Sequence, residues 1–360
     1  MKRIRAAVIG VGHLGKEHAR ILESIPQVEL VGVADVNFDQ AQAVARKHHT
    51  QAFADYWPLL NLIDAASIVV PTTHHLNVAR EFLKRGISVL VEKPLALNAT
   101  ESRELVSLAE QNNAVLQVGH IERFNPAYED LRSRPFQPKL IRAERMGPYT
   151  GRSTDIGVVL DLMIHDIDLV LGLTSSQLES VEAVGMSCYG GHEDVASARL
   201  RFRDGCVAEL TASRASPTPS RRMQLWGPEG YAEADFGARK LTLIQPSDEV
   251  RRHGLDPARL DPASRARIRD ELFTRHLEMR TIDGKAQDQL TCELQEFIAC
   301  VDSGESPRVS GREGLAAMEV ADRILAALSA HRWDAAHAGP LALPAPRGLL
   351  FPARVDQDVA

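Results

Sequence analysis

The chain has 360 residues, 44% of them hydrophobic, and 42 basic against 48 acidic side chains give a formal charge of −6. This length predicts two domains, and the near balance of charge, with no long block of one sign, argues against nucleic acid as a partner. No apolar run reaches the roughly 18 residues of a membrane span. The basic and apolar start is interrupted by His13, Lys16 and Glu17, so it reads as a first strand and not as a secretion signal. Cys188, Cys206, Cys292 and Cys300 have no C-x-x-C spacing. A cytoplasmic protein with idle thiols, no disulfide framework and no metal site is therefore expected.

In chain order, a strand at 5–9 runs into Gly10-Val11-Gly12-His13-Leu14-Gly15, and a helical pattern follows at 16–24. In this setting each glycine meets a physical need, Gly10 for the tight turn, Gly12 for close approach of a pyrophosphate and Gly15 for helix packing. The helix start, with His13 and Leu14 before it, offers free N–H groups to phosphate. A second strand at 28–34 ends in Asp35, about 20 residues on, where a carboxylate accepts the ribose hydroxyls of NAD and repels the phosphate of NADP. A helix at 41–49, a short strand at 52–54 and a strand at 66–70 lead to Pro71, Thr72, His74 and His75, at the sheet edge where a cofactor lies. Pro71, Thr72 and His75 are taken as cofactor residues. After a helix at 76–85, the strand at 89–91 ends in Glu92-Lys93-Pro94, charged groups at the carboxyl end of a strand and so directed at a ligand. A helix capped by Asn98 or Thr100 and a strand at 115–119 complete a parallel sheet. His120-Ile121-Glu122-Arg123-Phe124-Asn125-Pro126 follows, with Arg123 and Asn125 as substrate candidates and a domain boundary at residue 125.

The second unit, 126–338, opens with a strand at 139–145 and a loop at 147–155 that contains Arg152. A mostly apolar helix at 158–171 then places Asp161, His165 and Asp168 on one stripe, expected to face a cleft because unpartnered buried charge is costly. Period-two strands follow at 181–188, 195–202, 207–213, 222–227, 231–236 and 240–244, which read as an antiparallel sheet with one solvated side. A charged surface excursion at 248–281, two amphipathic helices at 289–301 and 312–330, and a tail at 339–360 end the chain. The expected class is thus an α/β Rossmann N-terminal domain with a parallel sheet, plus an α+β C-terminal domain on a large, mainly antiparallel sheet.

The glycine fingerprint, Glu92-Lys93-Pro94, Arg123-Phe124-Asn125-Pro126, Asp161 four residues before His165, and Pro307 to Gly311 before the last helix resemble, in this order, the Gfo/Idh/MocA oxidoreductase family. The resemblance implies an NAD-dependent dehydrogenase. Lys93 then orients the reacting hydroxyl and cofactor beside Glu92, Asp161 holds substrate or lysine, and His165 is the acid/base. Met163 stands where many relatives have glycine, which sets this pocket apart from those for free sugars. Residues 119–126, 151–155 and 161–168 look closest to members that oxidise the 3-hydroxyl of UDP-N-acetylhexosamines for envelope glycans or lipid A. Arg123, Arg142, Arg145 and Arg152 are then expected at the diphosphate. An inositol or free-sugar dehydrogenase and a non-catalytic nucleotide-sensing regulator on the same fold are the alternatives. The open sheet face suggests a homodimer or homotetramer.

Overall fold

The computed structural model describes residues 3–151, 155–188, 191–285, 288–333, 339 and 341–342. Strands β1 (Ile4–Ile9), β2 (Val28–Ala34), β3 (Gln51–Phe53), β4 (Ala65–Ile68), β5 (Ser88–Glu92) and β6 (Leu116–Gly119) form one sheet. Its order is β3-β2-β1-β4-β5-β6, and every pair is parallel. Strands β4, β5 and β6 are buried along their whole length, because helices cover both faces. Helices α1 (Gly15–Ser24) and α2 (Phe38–Lys47) cover one face, α3 (His75–Leu83) and α4 (Ala99–Gln111) the other. Asn98, one of two cap candidates in the sequence, accepts from the Glu101 amide and starts α4.

Residues 126–132, just past the expected domain boundary, form helix α5 (Pro126–Arg132), with Asn125 as cap and proline in the first turn. Strands β7 (Leu140–Pro148), β8 (Leu178–Ser187), β9 (Val195–Phe202), β10 (Val207–Ser213), β11 (Ala215–Gly227), β12 (Gly230–Asp235), β13 (Lys240–Pro246), β14 (Leu277–Asp283) and β15 (Leu341–Ala342) make the second sheet. Its order is β14-β13-β12-β11-β7-β10-β9-β8-β15, antiparallel except for β7 with β10 and β8 with β15. Helix α6 (Ile164–Leu173) packs on one face; on the other, Arg142, Glu144, Glu209 and Arg222 border an open groove. The alternation of buried and exposed positions along β9 reflects those two sides.

Within the excursion, helices α7 (Asp248–His253) and α8 (Pro262–Glu271) bury nothing, and β14 then forms the sheet edge. That strand corrects the irregular reading of 248–281. None of its residues is buried, so the apolar alternation that marks a strand is missing.

Helices α9 (Gln289–Ser303) and α10 (Gly311–Ala330) return to the first sheet, one on each face. Leu290, Leu294, Phe297 and Ile298 of α9 join Ala19, Leu22 and Leu90 in one core, each contributing about 1.5–3 kcal/mol by burial. Helix α10 starts at a Ser310–Glu313 capping box, lies against α4, and also touches α6 and β8, so it ties the two sheets together. It approaches β6 so closely that a Cβ on Gly314 would stand 2.5 Å from Val118.

Candidate active site

The glycine turn has the geometry its sequence predicts. Gly10 has φ +86°, a conformation that side chains rarely adopt, and a Cβ on Gly15 would come within 1.9 Å of the Gly10 carbonyl. At Gly12 nothing lies within 4 Å of the Cβ position, so the backbone is open to a ligand. Asp35 accepts from the amides of Val11 (2.8 Å) and Asn37 (2.9 Å) and from Gln40 Nε2 (3.2 Å), which fixes its carboxylate beside the turn and leaves one lone pair on Oδ1 over. A cavity of about 410 Å³ is lined by Gly10, Gly12, Asp35, Pro71 and His74, together with Asp55 and Tyr56, which sequence reading did not single out. His13 and Leu14 are exposed at the start of α1.

His75 departs from its expected place. Its ring is buried, with Nδ1 2.8 Å from the Pro94 carbonyl and Nε2 2.9 Å from the Val70 carbonyl, so it joins two loops behind the site. Burial pushes its pKa down even though both carbonyls favour a proton. Thr72 is buried in the 3-10 turn before it.

Glu92 ends β5 with its side chain buried. Its Oε1 lies 3.2 Å from His18 Nε2 without the alignment of a hydrogen bond, and its Oε2 accepts from the Lys93 amide. Burial opposes the Glu92 charge, but His18 and Lys93 outweigh burial and lower its pKa. Lys93 Nζ donates to Asp161 Oδ1 (2.9 Å) and to the Asp161 backbone carbonyl (2.7 Å). That carbonyl belongs to a π turn, Val159–Met163, where the sequence suggests regular helix from residue 158. Such a turn changes the i→i−4 ladder and accompanies functional sites.

His165 follows on the first turn of α6. Its Nδ1 is buried with no hydrogen-bond partner among the described residues, and the residue as a whole is 9% exposed. Burial first, then the cations Lys93 and Arg145, with His120 and Arg221, hold its pKa well below the usual 6.5, so the ring is neutral at pH 7. The His120 ring stands edge-on to it at 6.2 Å.

Three of the expected diphosphate arginines are paired with acids. Arg123 forms a two-pronged bond to Asp168, Nε to Oδ2 at 2.6 Å and Nη2 to Oδ1 at 2.9 Å, with both groups buried. Asp168 thus lies in the interior and not in a cleft. Arg145 is buried between Asp166 and Glu122 at 2.9 and 2.8 Å. Asn125 donates to Glu122 and to the Phe236 carbonyl and caps α5, so it cements the junction and faces no ligand. Arg142 pairs with Glu209 on the open sheet face, away from His165. Arg152 lies outside the described residues. The signal for this outcome was present in the sequence: two arginines destined for buried elements, and two acids to match them on an apolar helix.

Two family models match the chain, the oxidoreductase family with NAD-binding Rossmann fold over residues 4–120 and the GFO/IDH/MocA C-terminal domain over 127–233. Among curated relatives, a UDP-N-acetylglucosamine 3-dehydrogenase from Acidithiobacillus ferrooxidans is 37% identical over 88% of this chain and 96% of its own length. A scyllo-inositol 2-dehydrogenase (NAD(+)) from Bacillus subtilis is 31% identical over 88% and 92%. A solved structure of the Acidithiobacillus ferrooxidans UDP-N-acetylglucosamine 3-dehydrogenase superposes with a TM-score of 0.79, at 33% identity, over 91% of this chain and 98% of that one.

Proposed function

Since the chain belongs to the Gfo/Idh/MocA oxidoreductase family and is an NAD-binding dehydrogenase acting on CH–OH groups, we propose that it oxidises the 3-hydroxyl of a UDP-N-acetylhexosamine. The 37% identity to a UDP-N-acetylglucosamine 3-dehydrogenase across nearly the whole chain carries this reading. The open backbone at Gly12, the fixed carboxylate of Asp35 and the cavity between them fit a dinucleotide, and Asp35 favours NAD over NADP.

Bound NAD supplies the hydride acceptor. His165, neutral and with no hydrogen-bond partner at Nδ1 among the described residues, takes the proton of the substrate hydroxyl. Lys93, held by Asp161 through two acceptors, places a positive charge where the alkoxide develops. Asp161 acts through Lys93. Glu92 fixes the Lys93 backbone from below. The product class suits synthesis of envelope glycans or lipid A in the cytoplasm, and the open face of the second sheet suits assembly into a homodimer or homotetramer.

The second reading, oxidation of a free polyol, has the 31% identity to the inositol dehydrogenase in its favour. Purified protein with NAD or NADP and either UDP-N-acetylglucosamine or myo-inositol, followed at 340 nm, separates the readings. NAD reduction by the nucleotide sugar is expected, with NADP the poorer cofactor. Equal or faster reduction by myo-inositol would replace the substrate assignment and leave the dehydrogenase standing.

A further inference from the structure

Strands β7 and β11 pair antiparallel with Arg145 directly opposite Arg221. Side chains opposite one another in such a pair stand about 5 Å apart at Cβ, and like charges there destabilise the sheet unless something neutralises them. Arg145 is neutralised: Glu122 and Asp166 accept from its Nε, Nη1 and Nη2. Arg221 is exposed and has no acid partner among the described residues. Its neighbour Arg222 shows the ordinary alternative, an ion pair with Asp235 at 3.3 Å on the other side of the sheet.

The side on which Arg221 stands follows from alternation. Met223 and Leu225, two and four residues on, are fully buried against the helical layer, whereas Arg222 and Gln224 border the open groove. Arg221 therefore shares the face of Arg145, Asp166 and His165. Its charge acts on both His165 and Asp166. The acids on the elements around it are already committed: Asp161 to Lys93, Asp166 and Glu122 to Arg145, Asp168 to Arg123.

We infer that Arg221 receives the diphosphate of the substrate and so selects a nucleotide sugar over a free polyol, an inference that rests on the nucleotide-sugar reading above. The guanidinium is a planar fork suited to two phosphate oxygens. It stands in the neighbourhood of the base, as it must if the diphosphate is a sugar ring away from the reacting carbon. Of the four arginines suggested by the sequence, Arg123, Arg142 and Arg145 are each paired with an acid, and Arg152 lies outside the described residues.

The test compares the wild type with R221A and R221K, using UDP-N-acetylglucosamine kinetics and calorimetric binding of UDP to the NAD-loaded protein. A diphosphate contact made equally in ground and transition states raises KM and not the chemical barrier. R221A should raise KM and weaken UDP binding by about 10- to 100-fold, the range for a lost charge-assisted bond, with a much smaller change in kcat. R221K, which keeps the charge and loses the fork, should fall between. If R221A leaves KM and UDP affinity within twofold while the wild type still oxidises the nucleotide sugar, Arg221 is not the receptor and the functional reading survives. A loss confined to kcat would equally overturn the inference, because Arg221 would then act through His165. If the wild type neither binds UDP nor reduces NAD with the nucleotide sugar, the functional reading itself fails and this inference with it.

Discussion

The segment from the π turn through α6 carries two polar clusters built from similar residues and put to different use. At its start the side chains of Lys93 and Asp161 are each 19% exposed, and His165 has a ring nitrogen without a partner among the described residues. Farther along, Asp166 and Asp168 meet Arg145 and Arg123, whose side chains are each 4% exposed and are held by two-pronged bonds to those carboxylates. Both clusters place charge on a mainly apolar helix, and helical spacing alone does not tell them apart. Hydrogen-bonding capacity left over at a partly open surface marks the first as chemistry. Complete satisfaction in the interior marks the second as scaffold.

The largest effect should come from breaking the scaffold cluster. D168A leaves the Arg123 guanidinium buried without its carboxylate, and should cost about 3–5 kcal/mol, read as a lower denaturant midpoint. Replacing both partners together, as R123M with D168L, should recover most of that loss. A D168A protein as stable as the wild type would show that the pair is not needed for folding.

Opening the other cluster should have the opposite signature. H165A and K93A are expected to lower kcat by roughly two or more orders of magnitude, with NAD affinity within a fewfold and the midpoint little changed. If H165A unfolds as D168A does, His165 belongs to the scaffold. Near-normal turnover in folded H165A would remove it from the mechanism.

A smaller effect concerns a third group, Glu293 on α9. It is fully buried with no partner for either carboxyl oxygen among the described residues, and burial, with Glu92 nearby, pushes its pKa well above the ordinary value. Below its unfolded pKa of about 4.3 both states are protonated and the group is neutral to stability. As pH rises above that value the unfolded chain ionises first, so Glu293 costs increasing stability up to its folded pKa. E293Q carries no such proton. Its stability relative to wild type should therefore improve between pH 5 and pH 8 in urea titrations; a pH-independent difference would mean that Glu293 ionises in the folded protein.

Much of the first sheet is legible in the sequence because strict local rules govern it. Gly10, Gly12 and Gly15 each answer a steric demand, and the strand before Glu92 is continuously apolar because helices bury both its faces. Longer-range facts were not legible. Nothing in residues 289–330 says that α9 and α10 straddle the first sheet, since their amphipathic faces would suit any apolar layer. The π turn at Val159–Met163 leaves no mark in a run of apolar residues. Asn125-Pro126 did carry a helix-start signal, overlooked because Asn125 was expected at the substrate. The arginines were misread for a related reason: charge near a strand end suggests a ligand, but Arg123 and Arg145 had acids waiting on α6. Arg221 drew no notice because its meaning depends on register opposite Arg145.

The pH dependence of kcat/KM for the wild type tests most directly whether His165 is the neutral base. Burial and the surrounding cations depress its pKa well below 6.5, and a base works in its unprotonated form. The rate of alcohol oxidation should therefore hold level as pH falls to 6.5 and decline only at lower pH. A half-maximal point at or above pH 6.5 would contradict the account.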